Sequence, residues 1–257
     1  METVTHHGRR TAYRLSDRGG EGPTTLFVHG SGGSHAVWKS QFRLSDTFPV
    51  AAVDLSGHGE SEDVDAEPGY TALSAYVDDT LAVAEAVDAE VLVGNSLGGA
   101  VLLTAALERD YDPAGLVLAG TGARLSVLDD LLSWLADDFD RAVDFLHEPD
   151  HLLHDPDDAT LAVSRAAMRD AGRAVTERDF LSCHTFDVRD HLSEIATPAL
   201  AVVGEHDRLT PSTYHEYLAD EMPNCEYAEL PDAAHLAMLE APEAFNDRLS
   251  AFVARLD

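Results

Sequence analysis

The sequence predicts an α/β fold: a mostly parallel sheet covered by helices on both faces, with one helical insertion. Three observations carry this. Short apolar, β-branched runs alternate along the chain with helical stretches. Those runs are apolar without a clean in/out alternation, as expected of strands buried on both faces. One of them leads through the turn Gly94-Asn95-Ser96-Leu97-Gly98 directly into an apolar helix.

Taken in order, residues 11–15, 24–28 and 50–55 read as strands, with a helix over 36–45 between the last two. A helix over 73–87, a strand at 91–93, a helix over 97–109 and a strand at 116–118 follow. The strand rhythm then stops, and 128–145, 159–171 and 176–183 read as acidic helices. It resumes with a strand over 198–203, a helix over 211–221, a strand over 225–230 and a closing helix over 242–256. The expected division is therefore a core of residues 1–121 and 195–257 and a helical cap of 122–194.

A chain of 257 residues can bury a full core as one domain without disulfides or metals. With 47 acidic against 17 basic residues its net charge is −30, which repels phosphate backbones and anionic lipid and excludes nucleic acid and membrane surfaces as expected partners. Lys39 is the only lysine, and together with the acidity this suggests a protein adapted to concentrated salt, where self-repulsion is screened. Cys183 and Cys225 are too few for a disulfide framework and read as small apolar residues, and no signal peptide or membrane span is recognisable. The expected location is the cytoplasm.

The chemistry centres on Ser96. A serine hydroxyl needs a base to become a nucleophile near neutral pH, and a neutral histidine can take and return its proton. His235 follows the last strand and returns to the carboxyl end of the sheet, where catalytic groups gather in open α/β sheets. His206 is the nearest rival, but it adjoins Asp207 and reads as structural. Asp207 ends the strand over 198–203 and can orient the histidine, or else simply cap a turn. The chain order Ser96, Asp207, His235 is the order such a triad takes in this kind of fold. For the oxyanion, the backbone N–H of Leu97 at the start of a helix and that of Ser31 in His29-Gly30-Ser31-Gly32-Gly33 are the expected donors. That glycine-rich loop lacks the ending of a phosphate-binding P-loop.

On these residues the chain resembles the α/β-hydrolase family. The likeness covers His29-Gly30, the run Asp54-Leu55-Ser56-Gly57-His58-Gly59-Glu60-Ser61, the elbow at Ser96, Gly204-Glu205-His206-Asp207 and the stretch from His235 to Pro242. It implies about eight strands, a structural role for 54–61, a substrate-selecting lid after strand six, and no cofactor. Serine at the elbow departs from the dehalogenase and epoxide-hydrolase relatives, whose nucleophile is aspartate. Gly32 stands where perhydrolase relatives commonly carry proline, and Leu236 where carbon–carbon bond hydrolases often carry tryptophan.

The activity expected is ester or lactone hydrolysis of a small molecule through an acyl-enzyme. The alternatives are a carbon–carbon hydrolase or enol-lactonase using the same triad, and a slow-turnover ligand receptor. His147-Glu148-Pro149-Asp150-His151 fits the zinc-binding H-E-x-x-H pattern, with His154 nearby, but Pro149 argues against the helix that pattern needs, and no metal is expected.

Overall fold

The computed structural model describes residues 1–256. Eight strands form one sheet in the order β1-β2-β4-β3-β5-β6-β7-β8. They are β1 (Glu2–His6), β2 (Arg9–Ser16), β3 (Thr25–Val28), β4 (Val50–Val53), β5 (Val91–Asn95), β6 (Gly115–Ala119), β7 (Ala199–Gly204) and β8 (Cys225–Leu230). β1 and β2 pair antiparallel at one edge, β2 joins β4 antiparallel, and all remaining pairs are parallel.

The helices are α1 (Tyr70–Ala86), α2 (Leu97–Glu108), α3 (Asp129–Asp137), α4 (Phe139–Leu146), α5 (Asp158–Ala171), α6 (Arg173–Thr185), α7 (Ser212–Glu221), α8 (Ala237–Glu240) and α9 (Pro242–Val253). The central strands are buried on both sides, which is why they lack polar alternation. In β3, Leu26 and Val28 join the cluster packed under α1 and α2, while Phe27 joins the cluster of Trp38, Phe245 and Phe252 on the opposite face. A third, smaller cluster lies within α3–α5 around Leu135, Val143 and Met168.

Three local expectations are corrected. The helix expected over 36–45 is two 3₁₀ turns, His35–Trp38 and Gln41–Asp46. Trp38, then Ser40, Gln41 and Phe42 in succession, and Ser45 are buried, and the segment bonds i to i+3, as where Lys39 N–H donates to Ala36 O and Thr47 N–H to Leu44 O. The helix expected over 128–145 is broken into α3 and α4 at Asp138, which leaves helical dihedrals (φ −144°, ψ 72°) and caps α4 by accepting the Arg141 N–H at 3.3 Å. The edge strand β1 was not expected, since Glu2-Thr3-Val4-Thr5-His6 offers a single apolar side chain, and its place comes from pairing with β2.

Candidate active site

Parallel strands bring the loops after β3, β5, β7 and β8 to one edge of the sheet, and every residue singled out for chemistry lies there. Ser96 joins β5 to α2 in a strained conformation, φ 54° and ψ −115°. The turn is fixed from several sides. The Ser96 N–H donates to Ala119 O at 2.9 Å, and its own carbonyl accepts the Thr121 hydroxyl at 2.9 Å. The Asn95 side chain donates to Ala119 O and to the His235 carbonyl, at 3.2 and 3.3 Å. A β-carbon at Gly98 would stand 2.5 Å from Val28 O, so α2 can start this close to β3 only with glycine there.

His235 and Asp207 meet as the sequence suggested, Nδ1 to Oδ2 at 2.9 Å, with both residues buried. Asp207 also serves as the turn cap that was its bland alternative. Its Oδ1 accepts the N–H groups of Leu209 and Thr210, each at 2.8 Å, and its Oδ2 accepts the Thr210 hydroxyl at 2.8 Å. Burial pushes its pKa up, but the neighbouring His235 and the bonds from His235 and Thr210 outweigh that and hold it below the usual carboxylate value. Thr210, whose hydroxyl also lies 3.2 Å from His235 Nδ1, is a residue that sequence reasoning missed, and its position three residues after Asp207 was the available signal. With Nδ1 occupied, the His235 ring has Nε2 left for the cavity that both it and Ser96 line.

The glycine-rich loop 29–33 follows β3. The backbone N–H of Ser31 has no acceptor among the described residues, and neither has that of Leu97, the first residue of α2. Gly32 sits at φ +63° and donates its N–H to Asp179 Oδ2 at 3.0 Å, two conditions that proline could not meet. Beneath the loop, His29 is neutral: its Nε2 accepts the Leu55 N–H at 3.1 Å, its Nδ1 faces Gly30 O at 2.8 Å, and burial chiefly takes its pKa down to about 4.

Asp179 was not foreseen. It lies on α6 and is fully buried, bound to His58 Nε2 at 2.9 Å and to the Tyr76 hydroxyl at 2.7 Å. Burial lowers the His58 pKa, but the charge and hydrogen bond of Asp179 overcome it and raise the value above normal. Both ring nitrogens face acceptors, Asp179 and Ser56 O, an arrangement that favours the charged ring. Residues 54–61 thus contribute support, as the resemblance implied.

The segment that resembled a zinc motif clamps the active-site loops instead. Its backbone carbonyls accept from both: Asp150 O from Arg208 N at 3.0 Å, His151 O from His235 N at 3.3 Å and Leu152 O from Leu236 N at 2.9 Å. His147 turns to Val143 O and Ser164, and His151 to Phe145 O, so the two rings do not converge. Asp150, His154 and His206 do place possible ligand atoms within 4.8 Å of one another. In this arrangement Asp150 is bound to His154 at 2.6 Å and Arg208 at 2.7 Å, and the two imidazoles stack at 3.7 Å in nearly parallel planes, which a shared ion would have to reorient. His206 is therefore a packing residue against the cap, not a rival base.

The cavity holds about 640 Å³ and is walled mainly by apolar side chains, among them Leu131, Phe145, Met168, Phe180 and Leu236. Cys183 lines it beside Ser31, its thiol pushed up to about 12 by burial, and forms no disulfide with Cys225. No helix among the described residues is long and apolar enough to cross a membrane.

The sequence profile of the alpha/beta hydrolase family matches residues 25–248. The Agrobacterium fabrum protein RutD, to which carbamate hydrolysis is provisionally assigned, is 30% identical over 98% of this chain and 97% of its own length. The 3-oxoadipate enol-lactonase 1 of Acinetobacter baylyi is 25% identical over 90% of this chain and 88% of its own. A solved thermophilic esterase superposes with a TM-score of 0.87 at 29% identity, covering 99% of this chain and 97% of that one.

Proposed function

The chain belongs to the alpha/beta hydrolase family, and from that premise we propose that it hydrolyses an ester or lactone of a small molecule through an acyl-enzyme on Ser96. The observation that carries the reading is the buried His235–Asp207 contact of 2.9 Å opening on the cavity that Ser96 lines. Ser96 Oγ attacks the carbonyl carbon as His235 Nε2 takes its proton, and the oxyanion meets the free N–H groups of Ser31 and Leu97. Collapse of the tetrahedral intermediate releases the alcohol, protonated by His235. Water, deprotonated by the same ring, then cleaves the acyl-enzyme. Asp207 fixes the ring's tautomer and stabilises its charged form, while Thr210 fixes Asp207. The helices between β6 and β7 act as the cap that selects the substrate, and the acidic surface suits a salt-rich milieu.

The test pairs turnover of p-nitrophenyl acetate and butyrate in molar KCl with mass spectrometry after a fluorophosphonate probe. Wild type should turn over and gain one adduct; Ser96→Ala should do neither while keeping its circular dichroism, with a rate loss of about 10⁴ or more. Undiminished turnover by Ser96→Ala would refute the assignment.

A further inference from the structure

Acidic residues make up 47 of the chain's 257, a proportion that would put about six among the 34 residues lining the cavity, yet not one is aspartate or glutamate. An apolar wall explains part of this. It does not explain why the full charges that do line the cavity, Lys39 and Arg208, are both positive in a chain of net charge −30.

The two cations differ. Arg208 is neutralised by Asp150 at 2.7 Å and held in the clamp described above. Lys39, the only lysine of the chain, ends the first 3₁₀ turn after the loop that follows β3 and is exposed, its ammonium making no ion pair or hydrogen bond among the described residues. The carboxylate that feels its charge, Asp157, is committed to capping α5: it is held low first by its bond from the Thr160 N–H, at 2.7 Å, and least by Lys39. The same cavity is lined mainly by apolar side chains, including Val37 and the exposed Val163 on α5.

We propose that Lys39 determines specificity in this cavity, selecting esters or lactones that carry a carboxylate at the far end of an apolar spacer from the scissile bond. The inference rests on the acyl-transfer reading for where that bond sits. The acid-free lining keeps such a substrate from meeting like charge once it is inside, and the single cation supplies its only unpaired counter-charge.

The experiment compares monomethyl esters of C4, C6, C8 and C10 dicarboxylic acids with methyl esters of the matching monocarboxylic acids, at fixed ionic strength. Wild type should favour the half-ester at one spacer length, and Lys39→Gln should reduce that kcat/KM ratio about fivefold, with Lys39→Arg restoring most of it. Calorimetric binding of the same pairs to Ser96→Ala, with and without Lys39→Gln, should show the same change. A neutral preference at every length, or a ratio and a binding difference untouched by Lys39→Gln, overturns the proposal. If wild type hydrolyses neither series, the acyl-transfer reading has failed, and the binding ratios still decide the role of Lys39.

Discussion

Of the thirteen residues of α6, six are buried, two of them the charged pair Arg178 and Asp179; of the fourteen of α5, only Met168 is. Both helices face the same cavity, yet one is tied by buried charge to α1 and to the loops after β3 and β4, and the other rests on a small apolar cluster. The two helices thus form a deeply anchored wall and a lightly packed wall of one cavity. Asp179 accepts the Gly32 N–H, so the anchored wall also holds the glycine-rich loop. A pocket that must admit different shapes can then do so at α5 without disturbing the donors.

The largest expected effect is at the anchored wall. Asp179→Ala leaves His58 buried without its partner and should cost about 3–5 kcal/mol in guanidinium unfolding, with a fall in kcat as Gly32 loses its acceptor. The double variant His58→Leu/Asp179→Leu should recover much of the stability but not the kcat; recovery of both would mean that Asp179 does not position the loop.

Titration should distinguish the two walls next. His29 and His215 are pushed down to about 4, chiefly by burial. The unfolded chain therefore protonates first, and stability present above about pH 6.5 is lost as pH falls toward 4, about 3 kcal/mol for each histidine. His58 has the opposite sign: its raised pKa stabilises below its unfolded value, and that share is lost as pH rises through the folded one. Urea midpoints from about pH 4.5 to 8 at constant KCl should fall on the acid side, less steeply in His215→Gln. A flat acid limb in wild type would show that these rings are not held neutral.

At the lightly packed wall the effects should shrink. Met168→Ala is expected to cost about 2 kcal/mol, the low end for a buried methionine, because one side of it already opens on the cavity. Val163→Gln, 65% exposed at position 163, should change stability by no more than about 0.5 kcal/mol while raising KM for long-chain esters. A loss at Val163 as large as that at Asp179 would abolish the distinction.

Much of the sheet, and the meeting of Asp207 with His235 beside the cavity that Ser96 lines, was legible because the signals are local. The central strands announced themselves by burial on both faces, and the elbow by glycines that leave room for a tight strand-to-helix start. Asp207 was ambiguous between a turn cap and a partner for the histidine, and it makes both sets of contacts, through different oxygens. Asp179 was illegible for the opposite reason. Its partners are Gly32, His58 and Tyr76, each more than a hundred residues away, and nothing in the pattern of α6 marks one acidic position as buried. The 36–45 and 128–145 segments failed at finer grain, where a spacing of three and a capping aspartate decide the geometry.

The seam at residues 150–152 has a mechanical consequence. Its carbonyls hold the backbone N–H groups of Arg208, His235 and Leu236, so the loops carrying Asp207 and His235 are fastened to the segment between α4 and α5. Peeling the cap away along this seam would release the base from its footing at the same moment that it admitted solvent. Under the proposed mechanism the arrangement is an interlock: Asp207 and His235 keep their footing only while that side is shut.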